Sequence, residues 1–324
     1  MVVTSSTTTT TTTATATNDE DLGLKDYWRS KLPNTRMPKA IQADLLTKSK
    51  KAVVVTGNVE LVLDNMVNVD LSWDVATDTN QLRGYDPTET LFFLENELHP
   101  GSTMNLDFTK TAPLGINFLP RKEAESIPFS SKKFSNVLQR FSVLPGSNNA
   151  KVMKNTIRVC EMPADIGEEK YCATSLESMI DFSCSKLGTN NVQVLSTEVQ
   201  YNNKKKEEEE EERETSTSQK KKMIKEYSIT GDVEKIGNHE AIVCHGLPYM
   251  YAVFYCHARR DTRVYKVPLV ATDGTKAKAI AVCHIDTSKM NPKHLAFQQL
   301  KVKPGTIPIC HALLQDQVAW VPNM

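Results

Sequence analysis

Residues 277–284 read Ala-Lys-Ala-Ile-Ala-Val-Cys-His, an apolar stretch of strand length that ends on a cysteine followed at once by a histidine. Such a stretch predicts a β-strand. Successive side chains of a strand leave on opposite faces, so Cys283 and His284 are poorly placed to serve one site together. The same dipeptide recurs at Cys244-His245, Cys256-His257 and Cys310-His311, with gaps of 10, 25 and 25 residues between successive pairs, and Trp320 follows the last pair after eight more. The four pairs hold four of the seven cysteines and four of the seven histidines, so residues this sparse are concentrated where chemistry is to be sought. Strand alternation suggests a division, with sulfurs on one side in disulfides and imidazoles on the other, converging on a metal or a pocket.

Outward from the pairs, 192–196, 251–255 and 263–270 carry the β-branched and aromatic residues of further strands. Upstream the periodicity changes. Residues 134–141 space apolar side chains for one helix face ahead of Pro145-Gly146, and 176–182 do the same ahead of Gly188, a C-terminal cap. The fold class expected is α+β, with a helical first half and a β-rich second half of the region from residue 91 on. Between two strands, 204–222 is a lysine-glutamate-serine/threonine run with nothing to bury, and it predicts a flexible charged loop. Residues 1–24, Thr-rich and then acidic, are expected to be a disordered arm. Residues 25–90 are expected to be a leader that contacts the domain through Tyr27, Trp28 and the Met37-Pro38 turn, with short strands at 53–56 and 59–63, and 91–324 the main domain.

Thirty-nine Lys and Arg balance 39 Asp and Glu, which argues against nucleic acid or an anionic membrane as a partner. No run approaches the roughly 18 apolar residues of a membrane helix. The N-terminal residues lack the basic start and apolar stretch of a signal peptide. Structural zinc sites space their ligands as Cys-x2-4-Cys or His-x3-5-His, a pattern the four pairs do not follow. Copper suits the residues better. Imidazole is a good ligand for it, and cysteines already in disulfides survive beside Cu(II) where free thiolates would be oxidised.

The spacing of the four pairs resembles that of the plant BURP domain. Leu-Phe-Phe-Leu at 91–94 with Leu-His-Pro-Gly at 98–101 resembles the family's opening, and Cys-Ala-Thr-Ser-Leu-Glu-Ser-Met at 172–179 its middle signature. Tyr27-Trp28 and the segment 32–41 are similar to what precedes the domain in many members. The resemblance implies the secretory pathway, with a vacuolar or extracellular destination. It further implies, through members that are copper-dependent burpitide cyclases, an oxidative crosslink between a Tyr or Trp side chain of a ribosomally made peptide and an unactivated carbon nearby. Copper is then the cofactor and O2 the oxidant, with His245, His257, His284 and His311 as metal ligands and catalytic residues. Cys160 and Cys172 match family positions and are expected to pair across a short loop. Cys184 lies where members usually lack cysteine, and Cys244, Cys256, Cys283 and Cys310 remain candidates for two more disulfides of unfixed connectivity. His99 is as well suited to a turn as to a metal, and His239 and His294 match no motif and are expected at the surface.

The substrate is either a separate precursor peptide or this chain itself. Gln81-Leu82-Arg83-Gly84-Tyr85 has the form of an in-cis core, in which the Tyr85 phenol oxygen would join the β-carbon of Leu82. The alternative of a different class is a non-catalytic BURP protein with a structural or stress-related role in cell wall or seed, because a fold does not by itself carry a function.

Overall fold

A computed structural model describes residues 19–45, 88–109, 116–201 and 223–323. The expected strands at 53–56 and 59–63, the candidate substrate residues Leu82 and Tyr85, and the charged segment 204–222 lie outside the described residues, as does most of the N-terminal arm.

Helix α1 (Asp19–Lys31) begins inside the stretch expected as an arm, and Leu24 is buried in the core. With α2 (Lys39–Ala43) it forms the described part of the leader. The domain opens with two short strands, β1 (Phe93–Leu94) and β2 (Thr103–Leu106). Helices α3 (Arg121–Ser126), α4 (Phe134–Arg140) and α5 (Asn148–Glu161) follow. The hydroxyl of Ser147 accepts a hydrogen bond from the Ala150 N–H and starts α5. Then come β3 (Glu168–Ala173) and α6 (Leu176–Leu187). Ser175 caps α6 at its N-terminus, and Gly188 ends it at φ 65°, a left-handed conformation that favours glycine.

From here every described element but one short helix is a strand: β4 (Val192–Leu195), β5 (Glu198–Gln200), β6 (Lys225–Ile229), β7 (Glu234–Ile236), β8 (Ile242–Leu247), β9 (Val253–Arg259), β10 (Thr262–Ala271) and β11 (Lys276–His284). A short helix α7 (Leu295–Leu300) precedes β12 (Ile309–Ala312) and β13 (Val318–Pro322). The expectation of a helical first half therefore needs correction. β1, β2 and β3 come from that half and complete both sheets. They were missed because β1 and β2 are only two and four residues long and β3 reads Glu-Glu-Lys-Tyr-Cys-Ala, too polar to show a strand period.

The first sheet runs β1-β12-β11-β10-β6-β2, with β5 also beside β11 and β7 beside β10. The second runs β3-β9-β8-β13-β4. Every pairing is antiparallel, as expected where short connections join neighbours. The sheets meet face to face: Val243, Ala319 and Val321 of the second share one buried cluster with Val264, Ile280 and Val282 of the first. The far side of the second sheet is covered by the leader and α6, with Trp28 against Trp320 at 5.8 Å between ring centroids. The rest of its inner face, around Tyr255 and Leu247, is covered by the cluster of α3, α4 and α5. Both faces of the second sheet are thus covered by apolar packing, each large buried side chain contributing roughly 1.5–3 kcal/mol.

Three disulfides tie this framework together, Cys160–Cys172, Cys244–Cys256 and Cys283–Cys310, and Cys184 is free. Three structural disulfides are at home in an oxidising compartment. No helix among the described residues is long and apolar enough to cross a membrane.

Candidate metal centre

The site is made twice over by the same local device. In the second sheet, the register of β8 on β9 sets Cys244 directly opposite Cys256, with their α-carbons 4.0 Å apart, and the sulfurs bond across the pair. In the first sheet, β11 on β12 sets Cys283 opposite Cys310, again 4.0 Å apart. Each histidine follows its cysteine and therefore leaves from the other face. His245 and His257 become diagonal neighbours on one strand pair, and His284 and His311 on the other. The sulfurs accordingly sit in the outer clusters, Cys244 and Cys256 with Trp320 and Phe254, and Cys283 and Cys310 with Phe93 and Val267.

The four imidazoles face one another where the sheets meet. Their ring centroids close a quadrilateral of 5.3 Å from His245 to His257, 5.7 Å to His284, 5.7 Å to His311 and 5.6 Å back to His245. They are 0%, 1%, 2% and 5% exposed in the order 245, 257, 284, 311, so bulk water does not solvate them. His245 Nε2 lies 3.2 Å from His257 Nε2, and His257 Nδ1 lies 2.8 Å from the Glu168 carboxylate. His284 Nδ1 lies 3.3 Å from the Thr262 hydroxyl. Tyr255 packs 5.5 Å from His257, and Phe92 stands edge-on to His311 at 6.5 Å.

The residue types fit a nitrogen-binding metal. Two imidazole nitrogens bound to one ion at about 2 Å each would stand near the separation seen for His245 and His257. The six disulfide sulfurs are withdrawn from competition. Among the described residues no group of three or more His, Cys, Asp or Glu side chains already meets in coordinating geometry. All four imidazoles could bind one ion only if the ring were drawn tighter.

The other histidines fall elsewhere. His99 is exposed in a turn, where its Nε2 accepts from the Ser102 hydroxyl. His239 is exposed beside Asp261 and Lys235. His294, expected at the surface, is fully buried: its Nδ1 accepts from the Ala296 N–H to cap α7, and its ring packs between Phe92 and Phe297. Capping and apolar packing consume a histidine that carries no motif. Trp320 and Tyr251 lie in separate apolar clusters, and burial pushes the Tyr251 phenol up, so it stays protonated.

Sequence reasoning missed Glu168, Thr262, Tyr255 and Phe92. Glu168 places a carboxyl group against the imidazoles, and its Oε1 lies 3.4 Å from Arg259, which is itself 2.7 Å from Asp165. Nothing in the sequence marks it, because its place depends on β3 pairing with β9 across some 85 residues of chain.

Residues 91–322 match the family model for the BURP domain. The chain belongs to the BURP domain family. It is 51% identical over 245 residues to BURP domain-containing protein 3 of Oryza sativa subsp. japonica, covering 76% of this chain and 53% of that one. It is 48% identical over 251 residues to BURP domain protein RD22 of Arabidopsis thaliana, covering 76% and 59%. BURP domain-containing protein 2 of Oryza sativa subsp. japonica is 33% identical over 303 residues, 92% of this chain and 91% of that relative. The chain thus matches only between half and three fifths of the first two relatives' length. All four Cys-His pairs fall inside the matched BURP segment.

Proposed function

We propose that this BURP domain holds copper at His245, His257, His284 and His311 and, with O2 as oxidant, crosslinks a Tyr or Trp side chain of a peptide to an unactivated carbon of a neighbouring residue. The observation that carries the reading is the closed ring of four buried imidazoles, delivered by four strands of two sheets, with every adjacent cysteine locked in a disulfide on the opposite face.

Copper when bound supplies the one-electron chemistry that no side chain of this protein offers, since breaking an unactivated C–H bond is beyond an acid or base. The balance for a Tyr substrate is plain. A phenol O–H and a C–H bond break, a C–O bond forms, and two electrons and two protons pass to O2. The protein's own part is to hold and shield. The paired cross-strand disulfides fix the backbone at both histidine diagonals, and their oxidised state leaves no thiolate to be consumed. Tyr255 and Phe92 wall the ring and keep water away. The peptide is either a separate precursor or the 81–85 segment, and copper, the peptide partner and the secretory destination all belong to this proposal.

A second reading rests on burial. Imidazoles no more than 5% exposed are closed to a peptide substrate in this arrangement, which favours a non-catalytic BURP protein with a structural or stress-related role in cell wall or seed. One experiment separates the two. Metal-free protein is given Cu(II) and O2, alone and with Tyr- or Trp-containing peptides, then digested and analysed by mass spectrometry. A product lighter by two hydrogens in the protein itself supports the in-cis form, and one in an added peptide the in-trans form. Bound copper with neither product would leave the structural reading standing.

A further inference from the structure

The carboxylate of Glu168 has no place in the Cys-His pattern, yet it is 2% exposed and touches the ring of imidazoles. On the β3–β9 ladder Glu168 stands directly opposite Arg259, and Lys170 opposite His257. His257 and Arg259 are two residues apart on β9 and so share a face, which sets Glu168 between them. Its Oε1 is 2.8 Å from His257 Nδ1 and 3.4 Å from Arg259 Nη2. Arg259 in turn donates to Asp165 at 2.7 Å, and Asp165 is 17% exposed, so the chain of contacts runs from the rim of the sheet to the ring.

We propose that Glu168 is a positioning residue for the metal centre: it accepts the Nδ1–H of His257, fixes that tautomer and turns Nε2 toward the other imidazoles, while Arg259 and Asp165 lock the carboxylate in place. A carboxylate is acceptor-only, so His257 must be the donor at Nδ1. A ring that donates at Nδ1 and carries no second proton has its lone pair on Nε2, the atom that faces His245 at 3.2 Å. A carboxylate behind a ligating imidazole also makes the opposite nitrogen a better donor to a metal. A buried charge is costly to place without a partner, and Arg259 supplies one at a point where the strand register would otherwise put any residue.

The metal-binding half of this proposal rests on the copper reading, and the tautomer half does not. Nitrogen-15 NMR of the metal-free protein reads the proton on each ring, and titration with Cu(II) reads the affinity. In the native chain His257 should carry its proton on Nδ1. Glu168→Ala should release that preference and weaken copper binding about 10- to 100-fold. Glu168→Gln has the same shape and guards against a folding failure of the alanine variant. It should fold, keep a weaker hydrogen bond and bind copper less tightly than the native chain. A native His257 protonated on Nε2, or native copper affinity in folded Glu168→Gln, would overturn the proposal. If the native chain binds no copper, the copper reading fails, and the tautomer in native and Glu168→Ala proteins then decides this one alone.

Discussion

His257 and His284 are neighbours in the ring, one from each strand pair, but are held differently, one by the Glu168 carboxylate and the other by the Thr262 hydroxyl. Charge-assisted hydrogen bonds are roughly twice as strong as neutral ones, so His257 should be the more rigidly aimed of the two. Replacing either by alanine removes one corner of the ring of four imidazoles while leaving both cross-strand disulfides intact. The expected result for His257→Ala and His284→Ala is loss of tight copper binding with a native far-UV circular dichroism spectrum. Equilibrium dialysis with metal analysis checks it, and native copper content in both variants would remove the site. At this scale the four histidines and the four cysteines beside them were legible, because the repeated dipeptide names them, and Cys160 and Cys172 through the family resemblance. Glu168 was not, since its role comes from a neighbour 89 residues away that no local pattern announces.

Elements show the same division. The strands at 192–195, 262–271 and 276–284 and the helices at 134–140 and 176–187 follow their local hydrophobic periods, whereas α5, β1, β2 and β3 were passed over. The turn joining β10 to β11 is held by Asp273, which accepts from the Thr275 N–H at 2.9 Å and pairs with Lys225 at 3.0 Å. Burial alone would raise its pKa, but the hydrogen bonds of Thr275 and the Lys225 ammonium outweigh it and lower the group from 3.8 to about 2. A depressed folded pKa means stabilisation that is complete above the unfolded value and lost as pH falls through the folded one. Melting temperature should therefore fall between about pH 4 and pH 2, and Asp273→Asn should be less stable at pH 7 and flatter across that window. An unchanged slope would show that the turn is not the titrating element. The Cys160–Cys172 bond ties the end of α5 to β3, and Cys160→Ser should cost roughly 2–5 kcal/mol in urea unfolding. Native stability in that variant would mean that the bond constrains little.

Across the whole molecule the described part of the leader, up to residue 45, belongs to the core. Trp28 is 3% exposed, donates to the Thr35 carbonyl at 2.9 Å and packs on Trp320 behind the Cys244–Cys256 bond. Tyr27 donates to Asp181 at 2.6 Å, with Arg121 over its ring and on the same carboxylate. Burial and the Asp181 carboxylate together push this phenol up to about 12, so the contact persists throughout the neutral range. Trp28→Ala should lower unfolding free energy by roughly 3–5 kcal/mol, measured by urea denaturation. A loss below about 1 kcal/mol would mean that the leader is only laid on the surface. The sequence by itself determined that sulfur and imidazole must part company, because adjacent residues of a strand face opposite ways. It also determined which residues make the four Cys-His dipeptides and that a β-rich region carries them, while the pairing of their cysteines was left to strand register. Only the tertiary structure decided that the two histidine diagonals face each other across two sheets, that Glu168 stands behind one of them, and that Trp28 and its neighbours up to residue 45 pack on the far side of the second sheet. Those relations depend on strand register and sheet packing over long separations, which local periodicity does not encode.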